Sequence, residues 1–361
     1  MTKLKLSDFD YNLPAELIAT EPKEKRDQSR LLVLDKKNGE IEDKHFFDIL
    51  EFLNKGDILV MNNSKVFPAR LLGKKKGTGG KVEVFLHKKL EVDGLAKKKT
   101  TWECLVGGKK IKEGKIILFE NNLKAEIIKN NENGTWLVRF NRGEKVMMEI
   151  VEQIGKIPLP PYIKIENRKQ GIDDKKSYQT IYASDEKLGS VAAPTAGLHF
   201  TPELMDEIKK KGVKIEYITL HVGMGTFAPV KVGNIEEHQM HAEYVEIDKG
   251  TINNIIKAKE NKQRVIGVGT TSVRTLEAVF SQVEDKNILD NDFSDWVNIF
   301  IYPGYKFKIV DAMITNFHLP KSSLIMLVSA LAGKDNIDKA YRKAIAKKYR
   351  FYSYGDAMFI R

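Results

Sequence analysis

Hydrophobic and polar positions follow two different rhythms along the chain. From Arg70 to about Phe140 short runs, KVEVFL, TWECLV, KIILF, KAEII and TWLVRF, are separated by Gly, Asn and Lys clusters. Such spacing predicts short antiparallel strands that close into a small barrel or sandwich. The far edge of this region is IPLPPYI, Ile157 to Ile163, whose prolines hold the chain extended. Beyond Tyr178, β-branched runs alternate with helical ones: KIEYITLHV, RVIGVGT then TSVRTLEAVF, WVNIFIY, and KIVDAMIT then SLIMLVSALA. Alternation of this kind predicts a mixed sheet covered by helices. The expected fold class is therefore α/β: a discontinuous mixed-sheet main domain, residues 1–65 and 155–361, with a small antiparallel β-barrel domain inserted at 66–154.

Composition narrows the class. A chain of 361 residues, 42% hydrophobic and 30% charged, reads as a folded protein of about two domains. Cys104 is the single cysteine, which rules out an internal disulfide or a cysteine-rich metal site. The start MTKLKLSDFD lacks a secretory apolar stretch, and the longest weakly polar run, Ser322 to Gly333, falls short of the roughly 18–20 residues that cross a bilayer. A cytoplasmic protein with no membrane role is expected. Residues 61–170 hold 24 Lys and Arg against 12 Asp and Glu, a surplus that exceeds the whole chain's net charge of +11 and leaves the rest about neutral. A local positive field draws phosphate, and nucleic acid is the usual cytosolic polyanion. Only four of those residues are Arg (Arg70, Arg139, Arg142, Arg168), so a merely solvated lysine surface is the competing reading.

Candidate chemistry gathers in the second half. In APTAGLHFT, Thr201 is expected to cap a helix with Pro202 at its first position, placing His199 on the entering loop and the helix end near Gly212. His221 should stand just past the strand KIEYITL, with Gly223 and Gly225 in the loop, where α/β sheets commonly bind ligands. HQMHAE would align His238 and His241 if helical, but a third metal ligand at comparable spacing is missing. VIGVGTTSVRTLE has Gly267 and Gly269 but Ser272 where a dinucleotide fingerprint needs Gly or Ala. There Thr270 or Thr271 is expected to cap the helix, and Arg274 either grips a carboxylate or balances Glu277. IYPGYKF and ITNFHLPKSS bring Tyr305, Asn316 and His318, residue types suited to stacking and hydrogen bonding with a base.

Taken together, the segments resemble one family, the S-adenosylmethionine:tRNA ribosyltransferase-isomerases of queuosine biosynthesis. The match runs through FDYNLPAELIA, RDQSRLLVLD, DILVMNNSKVFPARLLG, GGKVEVFL, APTAGLHFT, TLHVGMGTFAPV, HQMHAE, VGTTSVRTLE, IYPGYKF, ITNFHLPKSSLIMLVSALAG and YRFYSYGDAM, in order. Ala228 departs from the Arg or Gln usual after GTF, and Ser64 replaces a frequent Thr. The resemblance implies an α/β domain interrupted by a β-barrel. It also implies transfer and isomerisation of the ribosyl group of S-adenosylmethionine onto 7-aminomethyl-7-deazaguanine at the tRNA wobble position, giving epoxyqueuosine, adenine and methionine. S-adenosylmethionine would be a cosubstrate, with no permanently bound cofactor and no metal. Under that reading His221 is the expected base, and His199 or His241 protonates the leaving adenine. Thr270, Thr271 and Arg274 hold the methionine carboxylate or another anionic group. Thr195, Gly197, Gly223, Gly225, Thr226, Gly269, Tyr305, Asn316 and His318 are expected at the substrate, and Arg70, Lys74, Lys75 and Lys76 at tRNA phosphates. Asp356 and Glu243 are further carboxylates that the sequence does not rank. The alternatives are an S-adenosylmethionine-dependent RNA methyltransferase, a nucleotide-cofactor oxidoreductase using the VGVGTTS turn, and a non-catalytic tRNA-binding protein.

Overall fold

The computed structural model describes residues 4–90, 99–132, 134–163, 168, 171–223, 230, 232–282 and 291–361. Two compact units divide the chain, residues 1–65 with 160–361 and residues 66–159.

The larger unit is built on nine strands: β1 (Arg30–Leu34), β2 (Ile41–His45), β3 (Ile58–Asn62), β4 (Lys214–Leu220), β5 (Glu243–Ile247), β6 (Val265–Val268), β7 (Phe293–Val297), β8 (Ala312–Asn316) and β9 (Ala357–Ile360). They lie side by side in the order β7-β5-β4-β3-β6-β8-β9-β1-β2. Neighbours β4, β3, β6 and β8 run parallel, and β9 runs parallel to β1 but antiparallel to β8. The interior strands ILVMN, VIGV, AMITN and AMFI are buried at every position, the signature of strands covered on both faces. The edge strands IEDKH and FSDWV are polar and largely open, which discourages further pairing. Helices α1 (Pro202–Lys210), α2 (Lys249–Glu260), α3 (Gly269–Phe280), α4 (Ser323–Ala332) and α5 (Lys334–Ala346) supply the covering layers. Successive residues of β3 point to opposite cores: Ile58 and Val60 join the one containing Leu276, Val328 and Tyr341, whereas Leu59 and Met61 join the one containing Phe200, Leu204 and Ile208. Thr201 caps α1 by accepting the Leu204 N–H at 3.2 Å, and Gly212 takes the left-handed φ of +84° just beyond the helix.

The smaller unit is a closed six-stranded barrel of strands 136–140, 100–107, 81–90, 70–75, 116–118 and 124–130, in that order around the wall, followed by a helix at Glu144–Ile154. Its five hydrophobic runs are all strands. The sixth, RLLGKK, hides behind a glycine and two lysines. Gly73 faces inward, where a Cβ would stand 2.8 Å from Ile117 and Phe119 side-chain carbons. The far border also lies further on than 154. Gly155 is pressed against Pro68, and Lys156 exchanges backbone hydrogen bonds with Arg70, so the chain up to Leu159 packs with the barrel.

Candidate active site

The carboxyl ends of β4, β3, β6 and β8 share one edge of the sheet, and loops leaving that edge enclose a cavity of about 340 Å³. A buried hydroxyl and amide network fixes these strand ends. Asn62 Nδ2 donates to the Leu220 carbonyl (3.0 Å) and its Oδ1 accepts the Ser64 and Leu220 N–H groups. Ser190 Oγ donates to Ser64 Oγ (2.9 Å) and accepts Val222 N–H (2.9 Å). Ser64 thus keeps the hydroxyl that its position needs.

One wall of the cavity is the start of α3. Gly269, at φ +86°, turns strand into helix immediately, so Val268 is the cap and no side chain bonds the first N–H groups. The capping role expected of Thr270 or Thr271 is thus corrected: both lie inside the first turn, two and three residues past the cap. With Gly269 they line the cavity. The first-turn N–H groups of a helix lack intrahelical acceptors and face an anion favourably. Thr271 Oγ1 is buried among them without a hydrogen-bond partner.

The wall formed by the segment after β8 carries Asn316 and His318. His318 is clamped from several sides: its backbone N–H donates to Tyr341 OH (3.0 Å), its carbonyl accepts from Tyr11 OH, and Nε2 lies 2.9 Å from Thr315 Oγ1. Nδ1 has no hydrogen-bond partner among the described residues. Burial pushes this imidazole down to about 3, so it is neutral over the physiological range. Asn316 accepts a hydrogen bond from Thr195 Oγ1 (2.8 Å) on Oδ1, and its amide nitrogen lies 3.1 Å from His199 Nε2. His199 itself is outside the cavity lining. Its Nδ1 is 2.6 Å from Ser29 Oγ, its ring stacks on Phe46, and burial pushes it down to about 4.

The other sequence-nominated residues fall elsewhere. His221 stands past the end of β4 as expected, but the neighbouring Val222 lines the cavity, whereas the His221 ring stacks on Tyr244 beside Gly189. Its pKa is lowered by burial. His241 is exposed in a non-helical segment before β5, so the i, i+3 alignment with His238 does not form. Among the described residues no group of three His, Cys, Asp or Glu is placed to hold a metal. Gly197 is close-packed, with no space for a Cβ beside the Tyr182 hydroxyl. Gly225 and Thr226, like Ala228, lie outside the described residues.

Arg274 neither balances Glu277 nor stands open to a ligand. It is buried in an ion pair with Glu243, and Glu243 Oε1 accepts the Gly223 N–H at 3.3 Å. Glu277, fully buried, instead collects Tyr305 OH (3.0 Å) and the backbone N–H groups of Lys308 (2.7 Å), Ile309 (3.2 Å) and Val310 (3.0 Å). Tyr305 is thereby tied to the fold and does not line the cavity. Of WVNIFIY only the start, to Val297, is strand. Asp356 is likewise structural, accepting the Arg30 and Arg350 N–H groups. Missed from sequence was an aromatic wall of Tyr162, Tyr178 and Tyr352, with Ser353. Its signal was the run of aromatics in YRFYSYGDAM.

On the barrel, Lys74 and Lys76 project outward beside Leu72, and Arg70 pairs with Glu83 (2.7 Å). Lys75 reaches the Lys109 carbonyl, which brings the exposed Lys109, Lys110, Lys112 and Lys115 to the same end.

Comparison with known proteins agrees along the whole chain. Residues 6–360 match the model of a family described as queuosine biosynthesis protein. The S-adenosylmethionine:tRNA ribosyltransferase-isomerase of Acetivibrio thermocellus is 53% identical over 360 residues, covering 99% of this chain and 100% of that protein. The crystal structure of S-adenosylmethionine tRNA ribosyltransferase from Thermotoga maritima is 36% identical, with a TM-score of 0.54 over 98% of this chain and 100% of that one.

Proposed function

The chain belongs to the queuosine biosynthesis protein family, and on that premise we propose that it transfers and isomerises the ribosyl group of S-adenosylmethionine onto tRNA. The acceptor is 7-aminomethyl-7-deazaguanine at the wobble position, and the products are epoxyqueuosine-tRNA, adenine and methionine. S-adenosylmethionine is a cosubstrate rather than a resident cofactor, and the reaction belongs in the cytoplasm, where tRNA is modified. No helix among the described residues is long and apolar enough to cross a membrane.

The observation that carries the site assignment is the convergence of three surfaces on one cavity: the open N-terminus of α3, the neutral imidazole of His318, and an aromatic wall. A sulfonium acidifies the hydrogens on its adjacent 5′ carbon, so an uncharged base beside it can remove one. The cavity-lining imidazole is His318, and this role moves to it from His221. The proton it takes there is then held at the same imidazole for the departing adenine. The N–H groups and hydroxyls of Gly269–Thr271 take the methionine carboxylate, the anionic end of the donor. His199 holds Asn316 in register, and Arg274 holds the Glu243–Gly223 contact; both are positioning residues. Lys74, Lys76 and the neighbouring lysines of the barrel meet tRNA phosphates.

A turnover assay with tRNA carrying the aminomethyl precursor tests this reading. Free adenine, methionine and the modified nucleoside are expected in equal amounts. S-adenosylhomocysteine would instead indicate methyl transfer, and tRNA retention without turnover a binding protein. His318→Ala should abolish adenine release in folded protein while His221→Ala retains it; the reverse pattern returns the base role to His221.

A further inference from the structure

Tyr352 has a backbone that its side chain does not favour. Its φ is +72°, a left-handed conformation that is a genuine outlier for a bulky residue. The surrounding structure imposes it. Tyr352 N–H donates to the Phe317 carbonyl (3.2 Å), and its own carbonyl accepts the Gly355 N–H (2.9 Å). Asp356 pins the far side of the turn by accepting the N–H groups of Arg350 (2.8 Å) and Arg30 (3.0 Å). Gly355 completes the turn at a point where a Cβ would lie 2.6 Å from the Arg350 carbonyl oxygen. Glycine or asparagine would suit the dihedral of residue 352 better, yet the chain keeps an aromatic ring there.

That ring lines the cavity. Its centroid is 4.7 Å from that of Tyr162, at an interplanar angle of 51°. Tyr162 is fixed in turn: its hydroxyl lies 2.5 Å from Ser353 Oγ and accepts the Ser353 N–H at 3.2 Å. The bond from Tyr352 N–H to Phe317 places this aromatic wall next to the segment that carries His318. Strained positions cluster where a ligand is clamped, and a rigid aromatic face suits a flat heterocycle.

We propose that Tyr352, steadied by Tyr162 and Ser353, is the stacking surface for the adenine ring of the donor, opposite in chemistry to the carboxylate-binding start of α3. The proposal rests on the ribosyl-transfer reading above. It also places the departing base beside the residue that supplies its proton.

The test compares Tyr352→Leu with Tyr352→Phe, each checked by thermal melting. In Tyr352→Leu, KM for S-adenosylmethionine and the inhibition constant of free adenine should rise together by roughly tenfold or more, the scale of a lost base–aromatic stack, with those for methionine and tRNA unchanged within about twofold. Tyr352→Phe should behave as wild type, because the hydroxyl makes no hydrogen bond among the described residues. Equal weakening of adenine and methionine would mean that the ring only packs the core, and a rise confined to KM for tRNA would mean that it stacks the acceptor base; either result overturns the proposal. If Tyr352→Leu does not fold, Tyr162→Leu is read the same way. Equilibrium dialysis of adenine against wild type and variant separates the two levels of argument. Wild-type protein that turns nothing over but binds adenine through Tyr352 refutes the reaction and leaves the subsite; active wild type with undiminished adenine binding in the variant refutes the subsite alone.

Discussion

Glu277→Gln is a severe test of how the loop before β8 is held. The native carboxylate has no counter-ion among the described residues and is satisfied by four donors, two on each oxygen: Tyr305 OH and Lys308 N–H on Oε2, Ile309 and Val310 N–H on Oε1. An amide has the same shape but replaces one oxygen with a donor. With its NH₂ on the Oε1 side, the amide leaves the buried Ile309 and Val310 N–H groups without an acceptor; on the Oε2 side it leaves only the Lys308 N–H, because the Tyr305 hydroxyl can turn and accept. The second orientation is the cheaper, and at about 1–3 kcal/mol for a group left unsatisfied the expected loss is about 1–3 kcal/mol, a sizeable share of a total stability of about 5–15 kcal/mol. Urea unfolding followed by circular dichroism measures it, and the midpoint should fall with little change in slope. A loss below about 1 kcal/mol would refute the reasoning, because it would mean that the loop re-forms without its acceptor. Tyr305→Phe removes one donor and leaves the carboxylate paired, so about 0.5–1.5 kcal/mol is expected, with KM for S-adenosylmethionine unchanged.

Other perturbations read other parts of the molecule. His318→Ala should lower kcat by about 10²–10⁴, measured by adenine release on protein shown to be folded; a loss below tenfold would remove this residue from the chemistry. Acid should destabilise the protein through His199 and His318. The unfolded chain takes up protons below its ordinary imidazole pKa, whereas the folded imidazoles wait until about 4 and 3, so stability is full above that ordinary value and falls as pH drops towards 4. Each contributes about 1.4 kcal/mol per pH unit within the window, and His199→Asn should lower the slope of urea stability between pH 6 and 5 by about that one contribution. Lys74→Glu with Lys76→Glu should weaken tRNA binding and flatten its log–log salt dependence by about 0.7–0.9 per lost phosphate contact; an unchanged slope would move the footprint off this end of the barrel.

Periodicity and punctuation made much of the architecture legible. Thr201 with Pro202, Gly212, and the strand-to-helix passage at Val265–Phe280 are local signals, settled within a few residues, and they appear where the chain pattern puts them. What depends on distant partners was not legible. Arg274 and Glu277 share a helix at i, i+3, which suggests a pair, yet each finds its partner on another element, Glu243 and the 305–310 loop. Histidine clustering in sequence did not reveal which residues face the cavity: Val222 lines it while the His221 ring stacks on Tyr244, and no helix forms around His241. His318, expected at the substrate, does line the cavity, with its backbone held by Tyr11 and Tyr341. The aromatic wall draws on Tyr162, Tyr178 and Tyr352, whose grouping only the fold creates.

The place of β9 sets an order on biosynthesis. The final strand, Ala357–Ile360, is not an edge: it lies between β8 and β1, parallel to a segment made among the first residues of the chain. A ribosome emits the barrel as one uninterrupted stretch that can close during translation, but the sheet around the cavity stays split until residues 357–360 have left the exit tunnel. A stop codon ahead of residue 357 would therefore remove an interior strand of the sheet rather than trim a tail.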